Sequence, residues 1–110
     1  MALIYHIADQ NHWEKAQSSG LYVHPTLHSE GFIHCSKDAQ LEETANLYFS
    51  GSEDILILYI DPGRVDAEIE YEMSSRGQEF PHIYGPVNIE SVVKTKKVKR
   101  RADGKFKIKL

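Results

Sequence analysis

The stretch Gly31-Phe32-Ile33-His34-Cys35-Ser36 decides how this chain is interpreted. Residues 32–34 have the pattern of a brief strand, and Ser36 has the position and chemistry of an N-cap residue for a following helix. Successive side chains of a strand point to opposite faces, so we expect His34 and Ser36 to face a cleft and Cys35 to face the core. A titratable side chain in an apolar segment costs free energy unless it is hydrogen-bonded or used in chemistry. The stretch therefore predicts one wall of a functional site.

The segments after this stretch predict a helix and several strands. One apolar face repeats at helical spacing over about 37–50, which predicts a helix. The apolar run 55–60 predicts a central strand. Acidic and apolar residues alternate over 66–72, so a strand with one acidic face is predicted there. Residues 102–104 are predicted to turn into a last strand over 105–109.

The segments before the stretch predict a strand, a helix and a loop. Residues 3–7 are short and mostly apolar, which is typical of an internal strand. Asp9 is a good N-cap and Gly20 fits the position after a helix, so a helix is predicted over about 10–19. Residues 21–30 lack clear periodicity and predict a loop.

A second stretch, Phe80-Pro81-His82-Ile83-Tyr84-Gly85-Pro86, also places a histidine among apolar residues. Proline cannot donate to a strand ladder, so its two prolines predict that no regular central strand crosses it. We expect this stretch to be the counterpart of residues 31–36 across a site.

The composition fits one soluble domain. Of 110 residues, 41% are hydrophobic and 26% are charged, and no apolar run approaches the roughly 20 residues of a membrane span. The single cysteine, Cys35, cannot form an internal disulfide and fits a reducing cytoplasm. We therefore expect a cytoplasmic α+β protein with one domain over residues 1–110, a mostly antiparallel sheet, about two helices and no membrane contact.

The charges are unevenly distributed along the chain. Residues 1–93 hold four basic and fifteen acidic residues, whereas residues 94–110 hold nine basic residues and one acidic residue. A basic end can mark a nucleic-acid contact. The lysines of 105–110 alternate with apolar residues, however, as on the solvent face of a half-buried strand. This favours an exposed basic hairpin over about 90–110, and we expect no nucleic-acid partner because stacking aromatic residues are sparse there.

Three histidines in apolar surroundings, His6, His34 and His82, are the main candidates for chemistry. Any one of them alone is explained as a hydrogen-bonded core histidine. Three of them, together with Glu72 at the end of the acidic strand, favour a shared cleft. In such a cleft His34 and His82 are candidate general acids or bases near neutral pH, and Glu72 is a candidate to orient a histidine.

Phosphate binding, metal binding and nucleophilic catalysis are the other chemistries that these residues suggest. The N-terminus of the helix after Ser36 offers free N–H groups and a positive dipole end, which suit a phosphate. The three histidines and Glu72 could in principle hold zinc, but the chain lacks metal-binding spacings, so no metal is expected. Nucleophilic catalysis by Cys35 is disfavoured because the thiol is predicted to face the core. Phosphate-loop, dinucleotide-fold and hydrolase-elbow motifs are absent.

Several short motifs over about residues 3–95 resemble those of the domain of unknown function 952 family. They are Tyr5-His6, Trp13-Glu14 with Ala16, Gly31 to Ser36 with Gln40, Ile60-Asp61-Pro62, Tyr71-Glu72 and Phe80 to Pro86. Members of that family look like small bacterial proteins of one domain with no established activity.

The resemblance implies a fold similar to that of ADP-ribosyltransferases, including the RNA 2′-phosphotransferases that use NAD. In those enzymes a histidine on the first strand helps to hold the ribose of NAD, and a glutamate on a later strand is catalytic. The resemblance suggests these roles for His6 and Glu72. It also implies that Glu72 could polarise a ribose hydroxyl.

We therefore expect the protein to bind or transform NAD or a related ribose-phosphate compound, as an ADP-ribosyltransferase-like or phosphotransferase-like enzyme. A non-catalytic module that binds a nucleotide or small metabolite is the alternative. The candidate catalytic residues are His34, His82 and Glu72. The candidate ligand-binding residues are His6, Ser36, Gln40 and Tyr84. The oligomeric state is left open.

Overall fold

The computed structural model describes residues 2–110, which form short strands and three α-helices. In chain order these elements are β1 (Ile4–Ala8), α1 (Gln10–Ser19), β2 (Leu21–Tyr22), α2 (Pro25–Glu30), β3 (Ile33–His34), α3 (Asp38–Tyr48), β4 (Asp54–Ile60), β5 (Glu68–Met73), β6 (Glu79–Tyr84), β7 (Val87–Asn88) and β8 (Val92–Lys99). All strand pairs are antiparallel. The predicted α+β class and single domain are confirmed, and two of the three α-helices within residues 2–110 are longer than six residues.

Two three-stranded sheets organise the domain, with strand orders β1-β4-β8 and β3-β6-β5. They meet where the backbones of Tyr5 and Ser36 exchange two hydrogen bonds of 2.8 and 2.7 Å. β2 and β7 form a separate pair.

Alternate residues of β1 and β4 enter two hydrophobic cores. Ile4 and Leu58 lie in the first core together with Ile33 and Ile83 of the other sheet. Tyr5, Ile7 and Ile57 belong to the second core, together with Leu41 and Ala45 of α3. The β3-β6-β5 sheet therefore has one face on the first core, and its other face points to solvent.

The first helix confirms its prediction. The Asp9 carboxylate accepts a hydrogen bond from the His12 N–H at 3.0 Å, and Gly20 ends the helix in the left-handed region at φ 83°. Ala16 is fully buried and Trp13 packs against the first core.

The N-cap of the third helix lies one residue after the predicted one. Its N-cap is Lys37, whose N–H donates to Gln40 Oε1 at 2.9 Å, so the assignment of this role to Ser36 was wrong. Ser36 is still held in extended conformation by its pairing with Tyr5, which leaves the helix to start after it.

The segment 21–30 was predicted to be a loop, but it contains β2 and the short helix α2. Pro25 opens α2 at a position where its missing N–H is not needed. His24 supplies the cap, because its Nδ1 accepts a hydrogen bond from the Thr26 N–H at 3.1 Å. Gly31, at φ 89°, ends the helix and turns the chain into β3.

The prediction that prolines prevent a central strand over 80–86 was wrong, since β6 is the middle strand of its sheet. In an antiparallel sheet the N–H and C=O of one residue point to the same neighbour. The Pro81 carbonyl accepts from the Cys35 N–H at 3.0 Å, just beyond the end of β3. The nitrogen of Pro81, which has no N–H to donate, therefore faces Cys35, a residue that follows the end of β3.

The predicted last strand over 105–109 does not form, although the turn before it does. The segment is extended and is bound by side chains of α3 rather than by a strand. Asn46 bonds both the N–H and the C=O of Phe106, and Glu42 accepts from the Ile108 N–H. Phe106 is consequently buried while the lysines beside it are exposed, as the alternation predicted.

Candidate functional site

Two histidines face each other on the solvent side of the β3-β6-β5 sheet. His34 is the register partner of His82, and their ring centroids are 5.3 Å apart. Their neighbours Ile33 and Ile83 enter the core, so alternation places both imidazoles on the outer face. The side chain of His34 is 51% exposed, whereas that of His82 is 15% exposed. The His34 imidazole is therefore open to solvent, whereas the His82 imidazole is mostly covered.

A glutamate orients each imidazole. His82 Nδ1 lies 2.8 Å from Glu72 Oε1, and His34 Nε2 lies 3.1 Å from Glu30 Oε1. A carboxylate only accepts, so these nitrogens carry the protons. Within residues 2–110, the second nitrogen of each ring has no hydrogen-bond partner. His82 Nε2 and His34 Nδ1 are thus available to an incoming group.

Glu72 is held as an anion by two donors. Tyr84 O–H donates to the same Oε1 that accepts from His82. These bonds, the one from Tyr84 first, lower the pKa of Glu72. The Glu72 carboxylate in turn raises the pKa of Tyr84 to about 12. Near neutral pH the pair is therefore a carboxylate and a protonated phenol.

Phe32 packs between these groups. Its ring stacks on His82 at 4.1 Å with an interplanar angle of 20°, and its centroid is 4.8 Å from His34 and 5.4 Å from Tyr84. Phe32 is not among the residues predicted to form the site. The period-two pattern could have found it, because residues 32 and 34 lie on the same face of a strand.

His6 lies behind the face, in the core, with 3% of its surface exposed. Its Nδ1–H donates to the His34 carbonyl at 2.6 Å, and its Nε2 accepts from Tyr22 O–H at 2.7 Å. The Tyr22 oxygen also accepts from the Asp9 N–H at 2.9 Å. Burial lowers the pKa of His6 to about 3. His6 is therefore neutral and fully hydrogen-bonded, and it fixes the backbone of His34.

His24 connects the core histidine with a separate depression. Its ring centroid is 5.1 Å from that of His6, and burial lowers its pKa. It lines a cleft of about 270 Å³ that also includes Asp9, Asp54 and Phe49. The cleft does not include the imidazoles of the outer face. The roles of His24 and Tyr22 were missed, because their contacts with His6 join residues far apart in the sequence.

Ser36 and Gln40, both expected to bind ligand, are used within the fold. The buried Ser36 hydroxyl donates to Thr44 at 3.4 Å. Gln40 Oε1 caps α3, and its Nε2–H donates to the Glu79 carbonyl at 2.8 Å. These bonds tie α3 to the start of β6. The expectation that Ser36 shares the face of His34 was wrong, because the chain leaves β3 after His34.

Cys35 is buried, as the alternation predicted. Only 3% of its surface is exposed, and burial raises the pKa of its thiol. A thiol in this state is a poor nucleophile.

The surroundings of the histidine pair are acidic. Glu68, Glu70 and Glu72 lie along β5, and Glu68 raises the pKa of Glu70, because its carboxylate accepts a hydrogen bond from the protonated form of Glu70 and repels the ionised form. On the α3 side, the N-cap residue Lys37 is paired with Glu79 at 3.0 Å. The β5 side therefore favours neutral or cationic groups, and the α3 side tolerates an anion better.

No three or more His, Cys, Asp or Glu side chains within residues 2–110 are arranged to hold a metal ion. No helix in the same part of the chain is long and apolar enough to cross a membrane. His6, which the zinc alternative required, lies in the core with both ring nitrogens engaged.

Residues 7–95 match the family described as a protein of unknown function, DUF952. The chain belongs to this family. Three solved structures of protein CC0527 from Caulobacter crescentus are similar to it. A crystal structure is 29% identical with a TM-score of 0.86, and a double mutant gives 0.85 at the same identity, each covering 96% of this chain and 93% of that one. The solution structure is 30% identical with a TM-score of 0.80, covering 96% and 91%. No curated protein matches the chain.

Proposed function

We propose that the outer face of the β3-β6-β5 sheet binds a ribose-phosphate compound, with NAD as the first candidate, and that His34 and His82 serve there as acid and base. The observation that carries this proposal is the pair of imidazoles 5.3 Å apart, each oriented by its own glutamate. Two such groups can donate a proton to one atom of a ligand and remove one from another.

The chemistry follows from the free atoms of the face. His82 Nε2 can accept the proton of an attacking hydroxyl while Glu72 holds Nδ1 protonated. The Glu72 anion can accept from a ribose hydroxyl and can stabilise positive charge that develops on the ribose as its bond to a leaving base breaks. A phosphate is better placed towards Lys37 and the N-terminus of α3 than towards β5, where three glutamates repel it.

An ADP-ribosyltransferase-like architecture is part of this proposal. Two three-stranded antiparallel sheets that join at β1 and β3, with a histidine on the first strand, support it. His6 cannot reach a ribose while it is buried and bonded on both nitrogens. Its contribution here is to position His34.

A titration followed by amide NMR tests the proposal with NAD, ADP-ribose and phosphorylated ribosides. We expect shifts at His34, His82 and Tyr84 at millimolar ligand. His34→Ala and His82→Ala should each weaken binding about 10-fold, as loss of one charge-assisted hydrogen bond does. His28→Ala, a change at an exposed position of α2, is the matched control. Absence of shifts on the histidine face with every ligand would rule the proposal out.

A non-catalytic binding module is the second candidate. The histidine pair lies on an open sheet face rather than in a cavity that excludes water, which favours recognition over group transfer. Prolonged incubation with NAD separates the two candidates. Consumption of NAD that is lost in His82→Ala supports an enzyme, whereas saturable binding without consumption supports a module.

A further inference from the structure

The two outermost strands of the sheets carry opposite charges. β5 pairs only with β6, and β8 pairs only with β4, so each has one edge without a partner strand within residues 2–110. β5 presents Glu68, Glu70 and Glu72. Four lysines follow one another along β8, namely Lys94, Lys96, Lys97 and Lys99.

Neither set of charges is neutralised within residues 2–110. No lysine or arginine forms an ion pair with a glutamate of β5, and no carboxylate forms one with a lysine of β8. Crowding of the carboxylates raises the pKa of Glu70. Large apolar side chains are also exposed on the two strands, with Tyr71 46%, Met73 72% and Val93 47% accessible. The acidic edge of β5 is therefore stabilised by a partner that brings positive charge and covers its apolar side chains.

We propose that β5 of one copy of this chain pairs with β8 of a second copy. An added strand supplies main-chain hydrogen bonds to a free sheet edge, and glutamate–lysine pairs across the strands select the partner. Like charges oppose pairing of β5 with β5 and of β8 with β8, so only the mixed pair is attractive. Glu68 and Glu70 are the register partners of Tyr84 and His82, so the contact borders the histidine face, but it does not depend on which ligand binds there.

The contact joins two different surfaces, so it either closes a ring or continues into a chain of copies. Because it depends on exposed charges, salt must weaken it. Sedimentation velocity of the full chain over a range of concentrations measures both effects. We expect the average mass to rise with concentration at about 0.05 M NaCl, and the association to weaken at least about 10-fold at about 0.5 M NaCl.

Charge reversal gives the decisive comparison. Glu68→Lys/Glu70→Lys makes both edges basic, and Lys94→Glu/Lys97→Glu/Lys99→Glu makes both acidic, so each variant alone should remain monomeric. An equal mixture should associate again, because a basic β5 edge then meets an acidic β8 edge. All of the replaced side chains are exposed, and circular dichroism checks that each variant is folded.

Matched variants with the same changes of net charge control for general attraction. Glu14→Lys/Glu43→Lys and Lys15→Glu/Lys107→Glu/Lys109→Glu alter exposed residues outside both strands. These variants should each associate as the unmodified chain does. An unmodified chain that stays monomeric at about 1 mM protein and low salt, or edge variants that associate no differently from the controls, would overturn the proposal. A cationic partner other than this chain is then the remaining occupant of β5.

Discussion

Nδ1 of His6 lies 2.6 Å from the carbonyl oxygen of His34, so a core side chain holds the backbone of the exposed site from behind. β3 consists of only two residues, and its ladder with β6 is correspondingly short. The bond from His6 therefore adds an anchor that the sheet alone does not supply. Tyr22 completes the arrangement by fixing which nitrogen of His6 carries the proton.

Replacing His6 with leucine should destabilise the fold by about 2–4 kcal/mol. The change leaves the O–H donor of Tyr22 without an acceptor and the His34 carbonyl without a donor, and each unsatisfied group costs about 1–3 kcal/mol. Urea unfolding at pH 7.5 measures the loss. His28→Leu, on the exposed side of α2, should change stability by less than about 0.5 kcal/mol. Equally small losses of stability in both variants would mean that His6 does not join Tyr22 and the His34 carbonyl by hydrogen bonds.

Acid should destabilise the protein through His6 before the carboxylates titrate. The pKa of His6 falls from 6.5 to about 3 on folding, so between these values the unfolded chain binds more protons. This contribution to stability is complete above about pH 6.5 and declines as pH falls, by up to about 1.4 kcal/mol per pH unit.

Urea midpoints between about pH 7.5 and 5 test this, with His6→Gln as the comparison. The variant removes the titrating group and keeps an amide that can donate and accept. Its stability should depend less steeply on pH than that of the unmodified chain. Parallel curves for the two proteins over this range would show that His6 is not neutral in the folded state.

Replacing Tyr84 with phenylalanine should raise the pKa of Glu72. The Tyr84 hydroxyl is the leading cause of the lowered pKa of that carboxyl, and His82 continues to donate after the change. Carbon-13 NMR of the Glu72 carboxyl follows the titration. Tyr48→Phe, at a phenol that is 72% exposed on α3, should leave the midpoint unchanged. An unaltered Glu72 titration in Tyr84→Phe would mean that the two groups are not bonded in solution.

Local periodicity was enough to predict most of the regular structure. The helix after Asp9 was predicted from its cap, and the helix before Gly51 and the strand over 55–60 were predicted from apolar residues that the sequence shows directly. Burial of Cys35 and exposure of His34 follow from the same alternation. These features are local, so neighbouring residues determine them.

The errors share a different physical origin. Pro81 fits a central strand because β3 has already ended beside it, at Cys35, 46 residues earlier in the chain. The partners of His6 lie 16 and 28 residues away. Such outcomes depend on where distant segments meet, which a single sequence does not specify. For the same reason only two of the three candidate histidines lie together on the outer face of the sheet, namely His34 and His82. His6, Ser36 and Gln40 form hydrogen bonds within the fold.

Cys35 should be unreactive until the protein unfolds. Its side chain is 3% exposed, and its raised pKa disfavours the thiolate that reacts with disulfide reagents. The rate of reaction with such a reagent at pH 8 should be at least about 100-fold lower in buffer than in concentrated urea. Comparable rates in the two solvents would place the thiol at the surface.

The extended segment after Gly104 should contribute to stability although it lies outside the family-matched residues 7–95. Phe106 is 1% exposed in the second core, and Asn46 bonds its N–H at 2.8 Å and its C=O at 3.1 Å. Phe106→Ala should therefore cost about 3–5 kcal/mol, through lost burial and the cavity that remains. Lys107→Ala, the exposed neighbour, should cost less than about 0.5 kcal/mol in the same urea unfolding experiment. A cost for Phe106→Ala as small as that of its neighbour would mean that the second core closes without this segment.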